Sequence, residues 1–189
     1  MEKKVKILLL FLYLPMLCTA QMEGFHSNLK KNCKFCHVED SNSSTNFNLV
    51  WQQSTKNIFY TPYKSSTLDA DVSQPVGSSK LCLSCHDGIL AFDNSGFHRL
   101  EPNQILGTDL TDSHPVSFRY DSFLAMKDRG LFDPVTTPSG LGGTIDSDML
   151  VNGNLECISC HDIHGFSNVD KYLIKSNRKS RLCLTCHNK

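Results

Sequence analysis

The chain has no net charge: 19 Lys and Arg balance 19 Asp and Glu over 189 residues. A protein built mainly to grip nucleic acid carries a basic excess, so that class is disfavoured and no nucleic-acid partner is expected. Long apolar runs are scarce too. The run Ile7–Leu17 is broken by Tyr13 and Pro15 and is too short for a comfortable bilayer span. With 40% hydrophobic residues, the composition is too polar for a multi-pass membrane protein. There is no phosphate-binding loop, no Ser/His/Asp arrangement and no acidic metal cluster in the pattern of residues.

That apolar run follows a basic start (Lys3, Lys4, Lys6) and precedes the small residues of Cys18-Thr19-Ala20. The order predicts a secretory signal over residues 1–20, cleaved after Ala20, and no transmembrane segment. Lipidation at Cys18 is disfavoured because Leu17 is bulky where a small residue is usual. The expected mature chain, 21–189, has 169 residues and a net charge of −2.

Mature cysteine is absent outside one pattern. The eight remaining cysteines form Cys33-x-x-Cys36-His37, Cys82-x-x-Cys85-His86, Cys157-x-x-Cys160-His161 and Cys183-x-x-Cys186-His187. C-x-x-C-H is the attachment motif of c-type haem. Two thiols add across the two vinyl groups of one porphyrin, and the next residue places an imidazole on the iron. A disulfide scaffold gives no reason for a His after every second cysteine, and structural zinc would leave that His idle. A thioredoxin-like site would occur once, not four times. Four covalent haems c are therefore expected.

Histidine arithmetic extends the reading. Eight His less the four proximal ligands leaves His26, His98, His114 and His164, one candidate distal ligand per iron. Met22, Met126 and Met149 are the alternative donors; a methionine would raise the potential of its haem. With two protein ligands on every iron no site stays open for substrate, so electron transfer is favoured over catalysis. The competing reading is an enzyme with one five-coordinate haem; C-x-x-C-K, which marks some nitrite-reducing sites, is absent.

The first cysteines of the motifs are 49, 75 and 26 residues apart. About 42 residues per haem leaves little chain for an independent core, so porphyrins must supply much of it. The expected fold is mostly coil, with short helices at the haem motifs and minimal β-structure. Ser27 is a candidate cap before the first motif, and Ser176 or Ser180 before the last. Residues 121–130 read as a short helix with Phe123, Leu124 and Met126 packed inward and Gly130 as its stop. Residues 40–48 and 136–148 read as polar loops, 50–60 as holding a short strand, and Asn42-Ser43-Ser44 as a weak glycosylation sequon.

Leu155–His187, with Cys-Ile-Ser-Cys-His-Asp-Ile-His-Gly and Leu-Cys-Leu-Thr-Cys-His, resembles the doubled C-x-x-C-H domain of multihaem cytochromes c. Leu81–Leu90 and Ser113–Tyr120, the latter holding His114-Pro115-Val116, resemble the tetrahaem cytochromes that polymerise as extracellular filaments, the outer-membrane cytochrome E type. The similarity runs patchily from about Phe25 to His187. It implies that His114 and His164 are distal ligands and that low-potential, bis-His haems alternate between stacked and T-shaped pairs. It further implies a homopolymer with a head-to-tail haem chain, one distal His coming from the neighbouring subunit, and redox proteins as donors and acceptors. The implied location is extracellular or at the cell surface, the periplasm being the alternative for a monomeric shuttle. One departure is Asp40, where related sequences often carry a His. Either His98 or His26 then compensates, or a neighbour does. His26, seven residues before Cys33, either reaches the next subunit, as a heterologous contact that propagates a filament, or folds back onto its own first haem.

Overall fold

The structure is a computed structural model. It describes His26, residues 58–89 and 100–188, and the backbone of two strands, β1 (His37–Glu39) and β2 (Phe47–Leu49). The signal segment, Met22, Ser27, Cys33, Cys36, Asp40, the Asn42 sequon, residues 50–57 and His98 lie outside the described residues. So does the side chain of His37.

β1 and β2 pair antiparallel, with Val38 opposite Asn48. The second strand therefore begins inside the stretch read as a polar loop over 40–48. Of the segment expected to hold a strand, Ile58–Tyr60 is coil; Thr61 only bridges to Asp109. A second two-stranded sheet pairs β3 (Phe118–Arg119) with β4 (Asn154–Leu155), Phe118 facing Leu155. Among the described residues, the rest is coil, short helices and single 3₁₀ turns, in line with the mostly coil fold expected.

The first long described element is helix α1 (Gly77–His86). It contains the second haem motif. Helix α2 (Ser122–Asp128) starts at Asp121, whose carboxylate accepts the Leu124 N–H at 3.0 Å, as an N-cap should. It stops one residue earlier than expected, at Arg129, which takes the left-handed conformation (φ 57°). Its packing differs from expectation as well. Leu124 and Ala125 are buried, but Phe123 and Met126 are each 69% exposed. The helix is short and only one side meets the core, so three apolar positions spread over adjacent faces cannot all turn inward.

Helix α3 (Ile145–Met149) occupies the end of the segment read as a loop over 136–148. Thr144 and Ser147 form a reciprocal cap, and Ile145 and Met149, one turn apart, are both buried. Met149 is thus a core residue. Helix α4 (Cys183–Cys186) holds the last motif. Neither Ser176 nor Ser180 caps it; Leu182 stands at its N-terminus, held by its N–H donating to Asn177 Oδ1 at 3.1 Å.

The polypeptide core is small. Phe118, Tyr120, Leu124, Ala125, Ile145, Met149, Leu155 and Leu182 form one cluster, and Tyr60, Leu83 and Leu110 form another. Tyr120 links the larger cluster to the last motif by donating its hydroxyl to the Phe132 carbonyl at 2.6 Å, beside the Phe132 N–H bond to Cys186 O at 2.8 Å. These eleven side chains hold the loops around the motifs rather than replacing a larger interior.

Candidate functional site

Each described motif uses a tight turn to bring its two thiols to one side. Cys82 and Cys85 are one helical turn apart on α1, and Cys183 and Cys186 on α4, so each pair shares a face. Cys157 and Cys160 flank a 3₁₀ turn, with Cys160 N–H donating to Cys157 O at 3.2 Å. The His that follows is fixed by the same turn. His161 N–H donates to Cys157 O and His187 N–H to Cys183 O, both at 3.0 Å. None of the six described motif cysteines forms a disulfide.

The thiols face one another across motifs. Cys82 lies within hydrogen-bond reach of Cys157, which, with burial, pushes the Cys82 thiol well above its ordinary value. The same contact, joined by Ser79, draws Cys157 down to about 7 against the cost of burial. Burial pushes Cys160 and Cys186 up to about 11, neighbouring Cys183 and Cys160 adding to the effect. The second and third attachment points are therefore adjacent, and the third and fourth influence each other.

The histidines are arranged in pairs. His26 and His86 have ring centroids 6.2 Å apart with planes 10° from parallel. His114 and His187 are also 6.2 Å apart, with planes at 71°. A transition metal–imidazole bond of about 2 Å puts the ring centroid about 3 Å from the metal, so two imidazoles on opposite sides of one ion lie about 6 Å apart. Both pairs have that spacing, and each joins a motif His to one of the four remaining His.

Hydrogen bonding selects the free nitrogen. His86 donates its Nδ1–H to the Gln104 carbonyl at 2.8 Å, His114 to the Pro115 carbonyl at 2.9 Å, and His161 to the Lys171 carbonyl at 3.2 Å. A carbonyl only accepts, so Nδ1 carries the proton and the Nε2 lone pair is left for a metal. Burial, then the charges of His86, His161 and His164, hold His26 below the ordinary histidine value, which keeps its ring neutral and able to donate.

Two of these supports are themselves positioned locally. Gln104 ends a 3₁₀ turn whose cap is reciprocal: Glu101 N–H donates to Gln104 Oε1 at 2.9 Å, and Gln104 N–H to Glu101 O at 2.8 Å. Lys171 and Tyr172 are consecutive left-handed residues (φ 59° and 54°), a conformation costing roughly 1–2 kcal/mol per residue. That turn aims the Lys171 carbonyl at His161 and sets the Tyr172 ring edge-on to His26, centroids 5.4 Å apart.

The surroundings fit a porphyrin. An apolar cleft lined by Val72, Pro75, Leu83, Leu110 and Val116 has His114 and Cys157 at its wall, the mixture of apolar surface and few polar groups that cofactor sites show. The hydroxyls of Tyr172, beside His26, and of Ser78, on α1, are buried without a partner among the described residues. Such groups call for a partner, and a haem propionate is an acceptor.

His164 lies against Phe166, 5.6 Å between centroids, and near enough to His26 for their charges to interact. Met126 is exposed and Met149 is packed in the core. Glu156, unremarked in the sequence, is 3% exposed and joins α1 to the third motif. Only its place beside Cys157 hinted at it.

No curated protein matches the chain. Residues 149–189, which carry Cys157 to His187, match the family model of the doubled CXXCH motif, the mark of covalently bound c-type haem.

Proposed function

We propose that this chain is a four-haem electron-transfer protein in which each iron is held between two histidines. The observation that carries the proposal is the 6.2 Å spacing of His26–His86 and of His114–His187. When bound, the haems supply one-electron ferric–ferrous couples. The chain's own residues do the rest. Cys82 and Cys85 anchor the second haem, which His86 and His26 ligate; Cys183 and Cys186 anchor the fourth, which His187 and His114 ligate. Cys157 and Cys160 anchor the third with His161 as ligand, and Cys33, Cys36 and His37 serve the first. His98 and His164 remain for the first and third. Backbone carbonyls at Gln104, Pro115 and Lys171 fix ring tautomers, so the ligand set needs little rearrangement when an electron arrives.

With two histidines holding each iron, no iron would be left open to substrate, which favours a carrier over a reductase. Export follows from the signal-like residues 1–20 together with the haem motif; no described helix is long and apolar enough to cross a membrane. Assembly into a head-to-tail filament remains part of the proposal through the sequence resemblance. His26 lies against His86 of its own chain, which supports a ligand role there over donation to a neighbour.

The test is spin state. His26→Ala and His114→Ala should each convert one low-spin haem per chain to high-spin, and the double variant two. If either single variant leaves every haem low-spin, that pairing is wrong.

A further inference from the structure

We propose that Glu156 is a fixed buried anion that holds down the reduction potentials of the haems attached at Cys82/Cys85 and Cys157/Cys160. The inference rests on the tetrahaem reading above. Glu156 is 3% exposed, and its Oε2 accepts three hydrogen bonds: from Ser79 N–H at 3.3 Å, from the Ser79 hydroxyl, and from the Ser117 hydroxyl at 3.0 Å. Three donors converging on one oxygen match an ionised carboxylate, which only accepts. Ser79 Oγ in turn accepts the Cys157 N–H at 3.0 Å, and Ser117 Oγ accepts the Val76 N–H at 3.0 Å. The carboxylate thus joins the start of α1, the third motif and the segment following His114.

No cation meets it among the described ion pairs, which are Arg119–Asp121 and Lys127–Asp69. A buried carboxylate without a counter-charge is costly and persists where another group gains from it. The counter-charge that Glu156 lacks among the described residues is the one a ferric porphyrin iron carries. Its charge bears on both Cys82 and Cys157, so it acts at the junction of the two attachment sites. A fixed negative charge favours the ferric over the ferrous state, and adding an electron beside it is disfavoured. At protein-like screening, one charge roughly 10 Å away shifts a one-electron equilibrium about tenfold, which is about 59 mV.

Spectroelectrochemical titration of the holoprotein tests this. Glu156→Gln preserves shape and removes the charge. It should retain four low-spin haems and move the midpoints of two haems positive, each by about tenfold in the reduction equilibrium. Ser117→Ala strips one donor from the same oxygen and leaves the charge less neutralised, so those midpoints should move negative. Unmoved midpoints in Glu156→Gln, or a positive shift in Ser117→Ala, would overturn the proposal, since a purely structural hub predicts the same direction for both. If Glu156→Gln yields no holoprotein, Ser117→Ala decides alone: a negative shift supports the proposal, and none or a positive one rejects it. Wild-type protein lacking haem at either attachment site would instead refute the tetrahaem reading.

Discussion

His114 shows how a single residue joins local chemistry to redox behaviour. Pro115 follows it, and the Pro115 carbonyl accepts the His114 Nδ1–H at 2.9 Å. The dipeptide therefore fixes the tautomer with no help from a distant segment, which leaves the Nε2 lone pair available to a metal. His187 stands opposite at 6.2 Å. In the proposed ligation, removing His114 takes a donor from ferric iron, so the midpoint of that one haem should rise in His114→Ala as its spin state changes. His26→Ala should act on a different haem, and the two midpoint changes should add. Burial, Tyr172 and His86 hold the ring of His26. That placement was not legible in sequence, because the residues that hold His26 lie 60 and 146 positions away.

At the scale of elements, what was legible is what depends on near neighbours. The motif turns at Cys82–His86, Cys157–His161 and Cys183–His187 follow from their own spacing. Helix α2 was readable from Asp121 and the run after it. Helix α3 was missed although its signal was present: Thr144 and Ser147 cap it reciprocally, and Ile145 and Met149 are spaced one turn apart, but Gly- and Ser-rich surroundings concealed so short a helix. Glu156 carried no such signal. Its partners Ser79 and Ser117 are 77 and 39 residues away, and a lone Glu beside a Cys reads the same whether buried or solvated. The cap of α2 offers a stability test. Asp121→Ala should cost about 1 kcal/mol in denaturant unfolding. The Leu124 N–H, and to a lesser extent Arg119, hold the Asp121 carboxyl below its ordinary value, against the cost of burial. A folded-state value below the unfolded one gives stabilisation that is present above the ordinary carboxyl range and lost as pH falls through the depressed value. Asp121→Asn should therefore keep most of the cap but flatten the acid limb of the stability curve.

At the scale of the whole molecule, the described residues form two small polypeptide clusters beside motifs whose thiols and imidazoles face one another. This is the economy expected when cofactors form much of the interior. The adjacency of Cys82 to Cys157, and of Cys160 to Cys183 and Cys186, favours an ordered path from the second attachment site to the fourth. In the proposed assembly, a neighbour's imidazole would extend that path, and electron microscopy of the exported protein should show filaments that persist in His26→Ala. Monomers alone in the wild type would reject assembly while leaving electron transfer untouched. The central claim, four haems each clasped by two histidines, is tested most directly by spin quantification of the oxidised protein by electron paramagnetic resonance. The account predicts four low-spin ferric irons per chain and no high-spin signal; fewer than four, or one high-spin iron per chain, would contradict it.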